Sequence, residues 1–185
     1  MSKPLLFLDV DGVLNPARPQ PASDFDTHDL LGFRVLLSRR HRDWLPELAQ
    51  VYDLCWATTW EDDANTHIAP ALGLPTLPVV RFRGYTAQPG DPRIRLMELL
   101  SGAKWPPLLR YADKRPFAWL DDVIPPRLVR NSLVRPDRLL LPIDARQGLE
   151  RHHVDRLLAR PPRPVLPPQL AGRLRRAARS ATGQR

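Results

Sequence analysis

Three pairs of polar side chains stand where apolar runs end. Asp9 and Asp11 close the run at residues 4–10. Thr58 and Thr59 follow residues 52–57, and Asp121 and Asp122 follow residues 117–120. Each run has the length and apolar character of a buried strand. In an open parallel α/β sheet, ligands sit outside the carboxyl ends of the strands. If the three strands are neighbours, four carboxylates and two hydroxyls converge on one crevice. Such a cluster does not stay fully ionised without a cation to neutralise it. Oxygen-only donors suit a hard metal, and Mg²⁺ is the usual one where phosphate is the substrate. The alternative reading of Asp9-Val-Asp-Gly12 as a calcium loop fails, because its twelfth position is Gln20 and not Glu.

The elements that must position these groups alternate. Strands are expected at residues 4–10, 52–57, 77–82, 117–120 and 138–142. A short strand or flap is expected at 33–38, and the proline-rich stretch 15–32 reads as a loop. Helices are expected at 41–50, 60–72, 91–100, 104–112, 126–132 and 149–159. Alternation of this kind implies a parallel sheet covered on both faces, a three-layer α/β fold. Glu61, Asp62 and Asp63 suit the solvated first turn of the second helix. Gly12 allows the tight turn after the first strand, and Thr59 caps the following helix or assists Thr58. Trp56 and Trp119 lie inside strands and read as core. Trp60 follows the second strand directly and is a candidate for the crevice wall. Cys55 reads as a small buried residue. His28, His41 and His67 lack zinc-site spacing, and the adjacent His152 and His153 read as solvated.

The segment Phe7-Leu-Asp-Val-Asp-Gly-Val-Leu-Asn15 closely resembles the first motif of the haloacid dehalogenase (HAD) superfamily. Thr58 resembles its second motif, a lysine before the last acidic pair its third, and Trp119-Leu-Asp-Asp122 its fourth. The resemblance covers about residues 4–145 and is strongest to small bacterial members, some of whose relatives are domains of RNA-repair proteins. It implies a Rossmann-like domain with a five-stranded parallel sheet in the order 5-4-1-2-3 and a minimal cap or none. It also implies an Mg²⁺-dependent phosphatase. Asp9 would attack phosphorus and form an aspartyl-phosphate. Asp11 would be the general acid and base. Thr58 would hold a phosphoryl oxygen, and the lysine would neutralise charge. Backbone amides near Gly12 would face the phosphate. Mg²⁺ would be held by Asp9, the Asp11 carbonyl and one or both of Asp121 and Asp122. Lys104 opens the helix before the fourth strand and is preferred as the lysine. Lys114 and Lys3 lie at the amino ends of strands, on the wrong side. Gly12, Thr59 and Trp60 are the expected substrate contacts. Residues 16–29 and 83–93 are expected to border an open entrance.

The net charge of +8 is unevenly placed. Residues 151–185 hold nine of the 28 basic residues and one of the 20 acidic ones, so residues 1–150 are formally neutral. The chain therefore reads as a hydrolase domain over 1–160 and a Pro/Arg-rich tail over 161–185, with a short basic helix near 169–179. The tail is a candidate contact for nucleic acid. A single cysteine, no visible signal peptide and no membrane span suit a cytoplasmic protein. Expected partners are a phosphorylated substrate, such as a nucleotide, a nucleic-acid end or a phosphoprotein. The alternatives are a catalytically weak module that binds nucleic acid through its tail, and a phosphotransferase sharing every residue named.

Overall fold

The computed structural model describes residues 2–18, 21–82 and 103–165. Strand β1 (Leu5–Leu8) leads into an antiparallel hairpin of β2 (Phe25–Leu30) and β3 (Phe33–Ser38). Helix α1 (His41–Val51) and strand β4 (Asp53–Trp56) follow. A π-helical segment, Ala64–Ile68, runs into the single turn α2 (Ala69–Ala71). Then come α3 (Trp105–Ala112), β5 (Phe117–Asp121), α4 (Pro126–Ser132), β6 (Arg138–Pro142) and α5 (Arg151–Ala159). The expected helix at 91–100, the entrance loop at 83–93 and the basic helix at 169–179 lie outside the described residues.

The main sheet has four parallel strands in the order β4-β1-β5-β6. Successive side chains of a strand face opposite ways, and both faces are apolar here. Leu6, Leu8, Leu54, Trp56, Ala118 and Leu120 build one core with residues of α1 and α5. Phe7, Cys55, Phe117 and Trp119 build a second core with Leu108 and Ala112 of α3. Near-continuous apolar strands are what a sheet covered on both faces requires.

Two expectations about strands are corrected. The third of the five expected strands, at residues 77–82, is reduced to one parallel bridge between Trp56 and Val79 beside β4. It lies where the order 5-4-1-2-3 puts it. Pro75 and Pro78 remove backbone donors, so a continuous ladder cannot form there. Asn65 supplies what the ladder lacks. Its Oδ1 accepts from Leu77 N (2.8 Å) and Trp56 Nε1 (2.9 Å), and its Nδ2 donates to the Leu77 carbonyl (2.8 Å). Conversely, the stretch expected to be loop at 15–32 contains β2. Its polar sequence hides the strand, which is registered instead by the turn at Leu31 and Gly32. Both residues have positive φ, 54° and 78°, the turn geometry that closes two-residue hairpins.

The helix expected from Trp60 starts late because Glu61 sits in the left-handed region at φ 45°. That conformation costs a non-glycine residue about 1–2 kcal/mol. The side chain is engaged: Oε1 accepts from Phe82 N (3.3 Å), and Oε2 lies 3.4 Å from Arg81. Asp62 holds the same guanidinium through two bonds of 2.7 and 2.8 Å. Glu61 and Asp62 thus fasten the edge segment, instead of being a merely solvated first turn. His153 is likewise not solvated. It is half-buried, and its Nδ1 accepts from Glu150 N (3.1 Å) in a capping box that starts α5.

His41 opens α1 fully buried, beneath Phe25 and Trp44. Burial lowers its pKa from 6.5 to about 4. Between those values the unfolded chain binds a proton that the native imidazole refuses. Its contribution to stability is therefore lost as pH falls from 6.5 to 4, and is flat below. The full loss is about 3 kcal/mol. Denaturant unfolding of wild type and His41→Phe across this range should show it as a difference in slope. Parallel pH profiles for the two proteins would refute it.

Candidate active site

The register of the sheet brings the polar pairs level. Leu8 is paired with Trp56 on one side and Leu120 on the other. The next positions, Asp9, Ala57-Thr58 and Asp121, therefore emerge together at the carboxyl edge. Asp9 N donates to Leu120 O (3.2 Å) and Ala57 N to Leu8 O (2.7 Å), which continues both ladders to the rim. The placement follows from three adjacent strands of matching length.

Asp9 is 5% exposed. Its Oδ1 accepts from Val10 N (2.8 Å) and its Oδ2 from Lys104 Nζ (2.6 Å). The same ammonium donates to Asp121 Oδ2 at 2.8 Å. Asp121 is fully buried, and also accepts from Trp119 Nε1 (3.2 Å) and Val123 N (2.8 Å). Asp122 is partly exposed beside it. Carboxylate oxygens of Asp9, Asp121 and Asp122 lie within 4.8 Å of one another. Burial pushes the Asp9 carboxyl up from 3.8 to about 8, with Lys104 pulling the other way and Asp121 and Asp11 adding repulsion. A divalent cation among these oxygens would restore Asp9 to its charged form. The donor set, all carboxylate oxygen, suits a hard ion such as Mg²⁺.

Lys104 reaches this cluster from the residue just before α3. Pro106 and Pro107 occupy the first turn of that helix, where their missing N–H groups are not needed. Lys114 is exposed, and Lys3 donates to the Ala49 carbonyl. Neither contacts the cluster.

Asp11 is held apart from the cluster by two donors. Asn15 Nδ2 binds its Oδ1 (2.9 Å) and Trp60 Nε1 its Oδ2 (3.0 Å). Its side chain is not among the clustered metal donors. Trp60 is 2% exposed and packs edge-on against Phe33 of the hairpin. Expected as a wall of the crevice, it is placed by the structure as a buried hydrogen-bond partner of Asp11. Gly12 has φ 75°, which the turn requires. Its N–H donates to the Asn15 carbonyl (2.9 Å). Thr58 is fully buried, its Oγ1 accepting weakly from Trp60 N (3.4 Å), and Thr59 is partly exposed.

Two residues of the site have no role assigned from sequence. Asn15 links Asp11 to the hairpin, because its Oδ1 accepts from Leu36 N (2.9 Å). The signal for it is its place at the end of the first-motif segment, an amide side chain four residues after Asp11. Gly148 packs under the loop from the far end of the sequence. A Cβ there would stand 2.6 Å from the Val13 carbonyl, so the backbones meet at a distance only glycine permits.

The family described as the HAD domain in Swiss Army Knife RNA repair proteins matches residues 5–154. The chain belongs to this family. No curated protein and no solved structure matches it. HAD membership agrees with the Rossmann-like arrangement of the parallel sheet and with the acidic cluster at its carboxyl edge. HAD domains generally use Mg²⁺, and Asp9, Asp121 and Asp122 are placed to hold such an ion. Among the described residues, no helix is long and apolar enough to cross a membrane.

Proposed function

We propose that this HAD domain is an Mg²⁺-dependent phosphomonoester hydrolase that acts through an aspartyl-phosphate on Asp9. The reading rests on one juxtaposition. Asp9, at the rim of β1, is buried against Lys104 and the Asp121–Asp122 pair, with Asp11 two residues on and held separately. Bound Mg²⁺ would neutralise charge on Asp9 and on the phosphoryl oxygens. Asp9 Oδ attacks phosphorus, and the ester oxygen departs with a proton from Asp11. Asp11 then takes a proton from the water that attacks the aspartyl-phosphate, which releases phosphate and regenerates Asp9. Lys104 and the Thr58 hydroxyl position and neutralise the equatorial oxygens.

Asn15 and Trp60 keep both Asp11 oxygens hydrogen-bonded, so its carboxyl is aimed before substrate arrives. The description of the family supports a phosphorylated RNA end as the substrate class. A phosphotransferase would use the same residues with an acceptor hydroxyl in place of water.

The test is phosphate release from p-nitrophenyl phosphate and from an end-phosphorylated oligoribonucleotide, with Mg²⁺ and with EDTA. Turnover that needs Mg²⁺ and yields free phosphate is expected. Absence of hydrolysis on both substrates, with no Mg²⁺-dependent rise in the unfolding temperature, would refute the proposal. Transfer of the phosphoryl group to an alcohol without phosphate release would favour the phosphotransferase.

A further inference from the structure

A second concave site lies at the opposite end of the sheet. Five arginines line a cavity of about 370 Å³: Arg135, Arg138, Arg156, Arg160 and Arg163, with Leu133 as an apolar wall that is 70% exposed. They arrive from three segments: the turn before β6, the last turns of α5, and the chain that leaves α5. Arg138 opens β6, so the cavity is at the amino edge of the sheet and Asp121 at the carboxyl edge. A five-residue strand separates the two ends by roughly 15 Å.

The positive charge is not neutralised locally. Asp137 accepts from Arg135 through two bonds of 2.9 Å and lies 3.5 Å from Arg138 Nε. That one carboxylate serves two arginines. Among the described residues, no carboxylate pairs with Arg156, Arg160 or Arg163, all three of them exposed. Arg138 is fixed by stacking, its guanidinium 5.5 Å from the Trp105 ring and 5.7 Å from the Phe117 ring. Cations near the end of α5 complement the helix dipole, which accounts for Arg156 and Arg160. It does not account for Arg135, Arg138 and Arg163, which converge on the same cavity from elsewhere. The remaining sequence continues the pattern, since residues 156–185 contain eight arginines and no acid.

We propose that this cavity is a phosphate-binding anchor for a nucleic-acid strand, separate from the catalytic crevice. Guanidinium forks bind phosphate oxygens in pairs, and Leu133 offers an apolar surface to ribose or base. Net charge of this density, extended along the chain that leaves the cavity, fits a repeated polyanion better than a single small anion. The anchor would hold a strand without reading its sequence.

The test is fluorescence anisotropy of the full chain with a short single-stranded oligoribonucleotide bearing hydroxyls at both ends. Such a probe presents no phosphomonoester to Asp9. R156A/R160A/R163A should weaken binding at least about tenfold at moderate salt and reduce the slope of log affinity against log salt by about 2. R156K/R160K/R163K should keep most of that slope. Removing the same charge at R173A/R175A/R176A should cost clearly less. Oligoribonucleotide binding should also slow hydrogen exchange at 132–140 and 156–163. Equal losses from the two alanine triples would overturn the proposal, as would exchange protection confined to other segments. Polyglutamate competing as well as the oligoribonucleotide would also overturn it, pointing instead to an acidic protein.

Discussion

Asp9→Asn should lower the turnover of any phosphomonoester by at least about 10⁴-fold, as loss of a covalent nucleophile does elsewhere. Asparagine has nearly the same shape, but its single Oδ1 can accept from Val10 N or from Lys104 Nζ and not from both, so the other donor meets the amide NH2. Stability should move the opposite way. In the metal-free protein the carboxyl is held near 8, far above its unfolded value of 3.8. A raised pKa of this kind contributes stability that is full below 3.8 and lost as pH climbs to about 8.

Asparagine does not titrate, so the metal-free variant should lack this decline. It should be more stable than wild type at pH 8 and above in EDTA. It should also lose most of the Mg²⁺-dependent gain in unfolding temperature, because that gain requires an ionised Asp9. His41 acts in the opposite sense between pH 4 and 6.5, so the two effects separate only as differences between wild type and each variant. Undiminished turnover by Asp9→Asn would remove Asp9 from the chemistry altogether.

Lys104→Met should be the most destabilising single change at the site. The ammonium is 4% exposed and bonds Asp9 and Asp121 at 2.6 and 2.8 Å. Methionine keeps the apolar stem but removes the ammonium that Asp9 and Asp121 share, leaving the fully buried Asp121 without its counter-charge. Removing one partner of a buried charge cluster typically costs about 3–5 kcal/mol. Denaturant unfolding in EDTA should show this loss. Saturating Mg²⁺ should recover part of it by supplying the missing positive charge. Lys114→Met, on an exposed side chain, should leave the midpoint unchanged. If Lys104→Met unfolds like wild type in EDTA, the ammonium contributes nothing to holding the carboxylates together.

How far the sequence could be read depended on the range of the interaction concerned. Apolar runs of four or five residues gave β1, β4, β5 and β6 within one or two residues, because burial on both faces leaves no other use for them. The same runs fixed where Asp9, Thr58 and Asp121 emerge, since a strand end is set by where the apolar residues stop. Lys104 was distinguishable from Lys114 by asking which end of the sheet each would reach.

What stayed hidden was decided by contacts between distant segments. β2 is polar along its length and is a strand only because the Leu31–Gly32 turn folds it onto β3. Trp60 looked like a crevice wall because its indole follows the second strand. Its burial comes from Phe33, and its hydrogen bond from Asp11 49 residues away. Glu61 in a left-handed conformation, compensated by Arg81 and Phe82 some twenty residues on, cannot be anticipated from helical spacing.

Proline at both margins of the sheet has a consequence beyond shape. An open sheet offers two rows of unpaired backbone groups, and a partly unfolded neighbour can add itself to either. Here Pro75 and Pro78 interrupt the margin beyond β4, while Pro136 precedes β6 and Pro142 ends it. The Pro142 ring removes an outward donor that an incoming strand would need, the segment carrying Pro78 is held to β4 by a single bridge and offers only a short template, and Arg138 places a charge on the outer strand. The chain's core strands are apolar enough to self-associate during synthesis or heating. Its edges are chemically unsuited to extending the ladder, so growth of intermolecular β-sheet is blocked at the two places where it would start.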